Sequence, residues 1–383
     1  MASHWNPNHC ENLMTRPRVL MISKACIVGI YQRKLEHIAA AGVELLALVP
    51  PSWRDERGET PLERVYTQGY QLETLPIRLN GSFHLHHYRG LGRRLRDFRP
   101  DIVHIDEEPY NAAAWQALIY ARRAGAKSLF FSWQNINRRY PPPFSWGEKW
   151  LLRRVDFGLA GTQSAAQVWR DKGYSGPLAV IPQFGTDPDL FAPPPTPGPA
   201  RPFTIGYVGR LVEEKGLHLL LEAAARLPGD WRLSLLGGGP LLDNLRQTAT
   251  RSGIGDRVSF GGLVNSVEMP ARYHDFDALA LPSLTRSNWK EQFGRVLVEA
   301  MASGVPVVGS DSGAIPGVIG DAGLVVPEGD VESLAAALAR LQADSELRAR
   351  LSAAGRQRVL DCFTHEQVAA ATVAVYQEML TGV

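Results

Sequence analysis

Two carboxylates, Glu291 and Glu299, bracket the stretch E-Q-F-G-R-V-L-V-E, with seven residues between them. The stretch follows an apolar, strand-like run from Ala278 to Pro282 and leads into a helix-like run ending at Gly304. It therefore lies where a strand of an α/β sheet hands over to a helix, and such sheets bind ligands at the carboxyl ends of their strands. At ~1.5 Å of rise per residue, the pair is expected to span roughly 8–12 Å, about the length from a sugar to the ribose of a sugar nucleotide. Ionised oxygens accept hydrogen bonds strongly, so carboxylates suit sugar and ribose hydroxyls. The helix start falls between them. Gly294 allows close backbone approach there, and the free N–H groups suit a diphosphate.

Residues 204–216 read T-I-G-Y-V-G-R-L-V-E-E-K-G, a short strand followed by Gly209, Arg210 and, five residues later, Lys215. Two cations just past a strand end, with glycines beside them, suit a diphosphate clamp. Pairing with Glu213 or Glu214 on the surface is the bland alternative. Residues 233–240, L-S-L-L-G-G-G-P, run another strand into Gly237, Gly238 and Gly239. These glycines are partly structural and make no dinucleotide fingerprint, because G-x-G-x-x-G needs a glycine at Leu242.

The order of these elements closely resembles that of the retaining, GT-B-fold glycosyltransferases of family 4 (glycosyl transferases group 1). There the motifs read G-R-x-x-x-x-K-G, then G-x-G-P, then E-x-F-G-x-x-x-x-E. The resemblance covers most of 203–380 and is traceable from Arg18 to Phe184. It implies an α/β chain of two Rossmann-like domains facing across a cleft, with the closing helix crossing back to the N-terminal domain. It also implies metal-independent transfer from a UDP-, GDP- or ADP-sugar, with no cofactor and no agreed enzymatic nucleophile. On the matching positions, Glu291 is a sugar-hydroxyl ligand and Glu299 a ribose ligand. Arg210, Lys215, Gly238, Phe293, Gly294 and Arg295 complete the donor side, and Phe260–Val264 matches the loop that flanks the base. The family's glutamate before V-I is Gly317 here, so one carboxylate contact is absent at that position.

The N-terminal half carries weaker signals. The family's first strand ends in a glycine loop near the donor phosphates, and here that segment holds Gly29 alone. A turn without ligand contact fits Gly29 equally well. P-D-I-V-H-I-D-E-E-P-Y-N, residues 100–111, resembles the family's H-x-H-E-P-N segment. His104 matches its first histidine, Asp106 stands where the second lies near the reacting sugar, and Glu107 matches the glutamate. Asp106 and Glu107 are thus candidates to orient the acceptor or take its proton. Two other classes fit the fold: a sugar-nucleotide epimerase, and a non-catalytic sugar-nucleotide binder, the latter encouraged by Asp106 in a histidine position.

The chain's 383 residues suit two α/β cores. A net charge of +2 gives no general attraction to nucleic acid. Cys10, Cys26 and Cys362 are scattered and odd in number, which suits a reducing, cytoplasmic setting and neither a disulfide framework nor a zinc site. No apolar run approaches the ~20 residues that span a bilayer. The first sixteen residues lack a signal-peptide core and read as a ragged N-terminus, 1–16.

Strand candidates at Val19–Ser23, Glu44–Val49, Ile102–Ile105 and Ser128–Ser132 alternate with helix-like segments, which predicts a parallel sheet over 17–190. The proline cluster in 191–202 reads as a semi-rigid linker. The pattern restarts at Phe203–Val208, Leu233–Leu236, Val258–Phe260, Ala278–Leu281 and Val305–Val308, giving a sugar-nucleotide domain over 203–362 and a returning helix in 363–383. Finally, in H-L-H-H-Y-R-G-L-G-R-R-L-R-D-F-R, residues 84–99, Leu85, Tyr88, Leu91, Leu95 and Phe98 form an apolar stripe among arginines. Such a stripe either packs on the N-terminal sheet or docks on the inner face of an anionic membrane. The acceptor is left open between a lipid and a saccharide.

Overall fold

The computed structural model describes residues 16–55, 58–196, 201–265 and 268–382. Apart from Arg16, the segment 1–16 lies outside the described residues, as do 197–200 of the linker.

Runs of branched and leucine side chains, buried on both faces, form the first sheet. Its strands are β1 (Arg18–Ser23), β2 (Glu44–Val49), β3 (Gln71–Thr74), β4 (Ile102–Asp106), β5 (Lys127–Ser132), β6 (Phe157–Ala160) and β7 (Leu178–Val180). They pair in parallel in the order β7-β6-β5-β4-β1-β2-β3. A second parallel sheet is built from β8 (Phe203–Val208), β9 (Trp231–Leu236), β10 (Val258–Gly262), β11 (Ala278–Leu281), β12 (Val307–Ser310) and β13 (Leu324–Val326). Its order is β10-β9-β8-β11-β12-β13. In both sheets the order reverses beside the first strand, between β1 and β4 and between β8 and β11. That is the switch point at which doubly wound sheets open a ligand crevice. Each sheet has its own apolar core.

The strands anticipated from the sequence form, with ends moved by a few residues; Val305–Val308 becomes Val307–Ser310. β3, β6, β7 and β13 are additional. They are three or four residues long and carry too little pattern to stand out.

The C-terminal helix returns as expected. Helix α5 (Ser345–Cys362) packs on α4 (Arg295–Ala302) of the second sheet, where Gly355 brings the backbones close: a Cβ there would lie 3.0 Å from Met301 Cγ. The chain breaks at Phe363. Thr364 then caps α6 (His365–Thr381), its Oγ1 accepting from Gln367 N at 3.1 Å. Val368, Val375, Tyr376 and Met379 of α6 bury against Val19, Met21 and Leu129 of the first sheet. The segment that leads to the linker meets this return. Thr186 N donates to Phe363 O at 2.8 Å, and a Cβ on Gly185 would sit 2.2 Å from His365 N.

The basic stripe packs on the N-terminal half, the first of its two readings. The helix covers Leu91–Phe98 alone, with Tyr88, Leu91 and Leu95 each 1% exposed in the core of the N-terminal half. Gly92 faces the neighbouring helix Ala112–Ala124, where a Cβ would lie 2.5 Å from the Tyr120 ring. The face from Tyr88 to Phe98 is spent on packing, while Leu85 of the same stripe stays 45% exposed. Among the described residues no helix is long and apolar enough to cross a membrane.

Candidate active site

The carboxyl ends of β8, β9 and β11 converge on one cleft wall. Gly209 ends β8 with φ +150° and donates to Leu236 O at 2.9 Å. Gly237 and Gly239 also have positive φ, and a Cβ on either would lie 1.8 Å from Gly209 O or 2.4 Å from Leu211 O. Their glycine identity is thus a packing requirement. Gly238 is different, because a Cβ there would meet only Leu263, at 3.6 Å. Its surface is open for a ligand to approach the backbone.

Lys215 leaves the short turn after β8 and pairs with Glu291 rather than with Glu213 or Glu214: Nζ to Oε2 is 2.6 Å. Ser283 Oγ donates to the same oxygen at 2.9 Å, and Glu291 is 7% exposed. Arg210 is exposed and forms no ion pair among the described residues. One cation therefore braces a buried carboxylate while the other is free at the rim.

Helix α4 starts at Gly294, whose φ of +77° turns the loop into the helix, and no side chain caps that start. The first N–H groups are left for water or an anion. Glu299 lies one turn inside α4, 9% exposed, its oxygens held by Tyr273 OH at 2.8 Å and Arg295 Nε at 2.8 Å. Arg295 also reaches Tyr31 OH of the N-terminal half at 3.3 Å, so it ties α4 across the cleft. Phe293 packs between Trp133 and Phe363, with ring centroids at 5.6 and 5.8 Å. It also borders a cavity of about 310 Å³ with Gly161, Gly313 and Gly317. Gly317 has nothing within 4 Å of its missing Cβ.

On the opposite wall, the β1–β4 register sets Ser23 beside Asp106. Ser23 Oγ donates to Asp106 at 2.5 Å and Gln183 Nε2 at 2.8 Å. Burial pushes this carboxyl up, against the opposing pull of Lys34 and these hydrogen bonds. Glu107 is sealed by Lys24, by Tyr88 OH at 3.1 Å, by His86 Nε2 at 3.4 Å and by Asn111 Nδ2 at 3.2 Å. Burial would raise its pKa, but Lys24 and His86 outweigh burial and hold it at about 2. His104 is buried against α6, with Nδ1 2.6 Å from Tyr376 OH. Gly29 opens a short 3-10 turn, and its N–H donates to Glu63 Oε2 at 2.6 Å. A Cβ at Gly29 would lie 2.3 Å from Val65, so close packing explains this glycine.

Residues not anticipated join the two walls. Asn135 Nδ2 donates to Glu291 O at 3.0 Å, and Arg138 Nη2 to Asn288 O at 2.7 Å. Gln292 Nε2 donates to Trp133 O at 3.4 Å. The signal for them is W-Q-N-I-N-R-R, a run rich in amides and arginines directly after the apolar strand β5. Among the described residues no group of three His, Cys, Asp or Glu side chains is arranged to hold a metal ion.

Two facing Rossmann-type halves with a cation–carboxylate cleft define the GT-B architecture. Residues 193–358 match the family described as glycosyl transferases group 1, and residues 30–183 match the glycosyl transferase 4-like domain. The chain is 30% identical over 342 residues to the lipopolysaccharide core biosynthesis glycosyltransferase LpsE of Rhizobium meliloti, an alignment spanning 86% of this chain and 89% of that protein. It is 32% identical over 279 residues to the GDP-mannose-dependent alpha-(1-6)-phosphatidylinositol monomannoside mannosyltransferase of Mycolicibacterium smegmatis, over 66% of this chain and 71% of that one. The fold superposes on Anabaena HepE in complex with UDP with a TM-score of 0.72, at 18% identity, over 94% of this chain and 100% of that one. The chain belongs to the glycosyl transferases group 1: it is a glycosyltransferase of the EC 2.4 class, and its donor is a nucleotide sugar.

Proposed function

We propose that the enzyme transfers a sugar with retention, without a metal, from a nucleoside-diphosphate sugar to a hydroxyl of a glycoconjugate. The observation that carries this reading is the Lys215–Glu291 pair at 2.6 Å, set just before the uncapped start of α4. The pair unites the sugar end and the diphosphate end of one donor. As the leaving diphosphate gains charge, Arg210, Lys215 and the N–H groups after Gly294 stabilise it electrostatically. Glu291 accepts from sugar hydroxyls and Glu299 from the ribose. The open backbone at Gly238 and the 88% exposed Leu263 favour contact with the nucleotide. Asp106, closed in by Ser23 and Gln183, and Glu107, with four partners and a pKa near 2, serve as anchors for that wall rather than as bases. The relatives named for lipopolysaccharide core and for phosphatidylinositol monomannoside support an acceptor saccharide carried on a lipid. The GDP-mannose dependence of the latter makes GDP a candidate beside UDP and ADP. Free thiols at Cys26 and Cys362 suit a cytoplasmic reaction.

The test is a thermal-shift panel of UDP, GDP and ADP with their sugars, followed by incubation of the stabilising labelled donor with cell extract. Ligands that bind the native state raise its apparent stability. A new glycoside of unchanged anomeric configuration, formed in EDTA, is expected. A new sugar nucleotide formed without acceptor would make the protein an epimerase, and saturable binding without turnover would make it a binder.

A further inference from the structure

Three consecutive carboxylates end β4, and the fold treats them differently. Asp106 and Glu107 are 4% and 2% exposed and are closed in by their donors. Glu108 is only partly buried. Two donors hold it, one on each oxygen: Ser132 Oγ on Oε2 at 2.6 Å and the Trp133 N–H on Oε1 at 2.9 Å. Each oxygen has a lone pair left to accept from a ligand.

The segment that holds Glu108 also grips the sugar-end loop. Trp133 bonds Glu108 through its N–H and takes Gln292 Nε2 on its carbonyl, and Asn135 donates to Glu291 O. Three residues of β5 loop therefore separate Glu108 from the backbone that carries Glu291. An acceptor must present its hydroxyl beside the donor sugar, and this loop ties Glu108 to the segment that carries the sugar-end carboxylate.

The phenols of Tyr110 and Tyr140 lie close enough to this carboxylate to feel its charge. Tyr110 and Tyr140 lie with centroids 4.4 Å apart, and His84 lies 5.6 and 5.4 Å from them. Phe83, 39% exposed, stands next to His84 and lies under Lys24 Nζ at 4.8 Å. A pyranose has apolar C–H faces that pack on rings and hydroxyls that donate to a carboxylate. An alkyl chain would offer no donor to the lone pairs that Ser132 and Trp133 leave on Glu108, whereas saccharide hydroxyls do. A phosphate would face Glu108 with Glu107 close behind. The chemistry therefore selects a saccharide.

We propose that Glu108, with the rings of Tyr110, Tyr140 and His84, forms the acceptor subsite for a saccharide and accepts the hydrogen bond of the reacting hydroxyl. The proposal rests on the nucleotide-sugar reading above. In the transfer, the acceptor oxygen bonds to the anomeric carbon while the bond from that carbon to the phosphate oxygen breaks. The hydroxyl proton passes to Glu108, and the electron pair of the broken bond leaves with the nucleoside diphosphate. Burial lifts the Glu108 carboxyl to about 7, against the lowering by Ser132, Trp133 and Lys24 and with a smaller push from Glu107. Lys24, Glu107, His84, Tyr110, Arg138, Tyr140, Glu148 and Lys172 are further ionisable groups on this side. A base of that strength is matched to neutral pH.

The experiment is saturation-transfer NMR on the full chain with UDP or GDP present. The probes are methyl α- and β-glycosides of glucose, galactose, mannose and N-acetylglucosamine, with farnesyl phosphate as the lipid-phosphate arm. At least one glycoside is expected to bind. Tyr140→Ala and Glu108→Gln should each weaken it by roughly tenfold or more, and Tyr140→Phe should keep it. Nucleotide-induced thermal shifts, measured on the same samples, confirm that each variant is folded. Three results overturn the proposal: no glycoside binds, glycoside binding ignores both substitutions, or farnesyl phosphate binds in their place. If the wild type fails to bind any nucleoside diphosphate, the donor reading falls. If nucleotides bind but no Glu108-dependent glycoside does, the acceptor subsite alone falls.

Discussion

Asn135 and Glu291 belong to opposite walls of the cleft, and the Asn135 amide donates to the Glu291 carbonyl oxygen at 3.0 Å. The bond reaches the backbone of the carboxylate that Lys215 and Ser283 hold by its side chain. Closure of the cleft and orientation of Glu291 are therefore one event. Asn135→Ala is expected to lower kcat about tenfold, the worth of one hydrogen bond of ~1.5 kcal/mol. The Kd of the nucleoside diphosphate should stay as in the wild type, since the lost contact is at the sugar end. Calorimetry beside initial rates checks the split, and an equal loss in both would argue against it.

The two cations of the clamp are not equivalent. Arg210→Ala removes a free charge and is expected to cost about 2–4 kcal/mol of transition-state stabilisation with little change in Tm. Lys215→Ala should match that kinetic cost and also lower Tm, because it strips the partner from a carboxylate that is 7% exposed. Wild-type turnover in both variants would remove the clamp.

The carboxylate pair gives a crossed test. Glu299→Ala is expected to weaken UDP or GDP alone by about tenfold. Glu291→Ala should leave that affinity nearly intact and suppress transfer. The opposite pattern would exchange the roles of the two ends.

Glu107 makes a prediction in pH. Its folded pKa of about 2 lies below the unfolded carboxylate value, so its ionised form stabilises the fold above that unfolded value and the benefit fades as pH falls toward 2. Glu107→Gln is therefore expected to cost about 3 kcal/mol at pH 7 and roughly half as much at pH 3. Urea titrations at the two pH values measure the difference. A cost independent of pH would assign the stabilisation to hydrogen-bond geometry instead of charge.

Much of the scaffold was legible because it is written locally. β11, and β2 beyond Glu44, are uninterrupted apolar runs, and a run buried on both faces needs no partner to be recognised. The E-x-F-G segment was legible because a glycine with φ of +77° opens the helix that carries Glu299. The basic stripe over 84–99 was half legible. Its spacing announces a buried face, but only Tyr120, 28 residues after Gly92, shows what that face meets. The carboxylates of β4 were the hardest. Glu107 is sealed by Lys24, 83 residues away, and Glu108 is left open by the path of the loop after β5. No pattern within D-E-E distinguishes a sealed carboxylate from an open one.

The chain passes between its halves twice, and both passages run through the same spot, where Thr186 bonds Phe363 O and Gly185 leaves no room for a Cβ beside His365. Two covalent passages pinned together form a pivot. Any opening of the halves would have to turn about it. The contacts that would part include Asn135–Glu291, Arg138–Asn288, Gln292–Trp133 and Arg295–Tyr31. A bulkier side chain at 185 would act as a wedge in this joint. It would reset the resting angle of the two halves without touching a single group that handles the sugar.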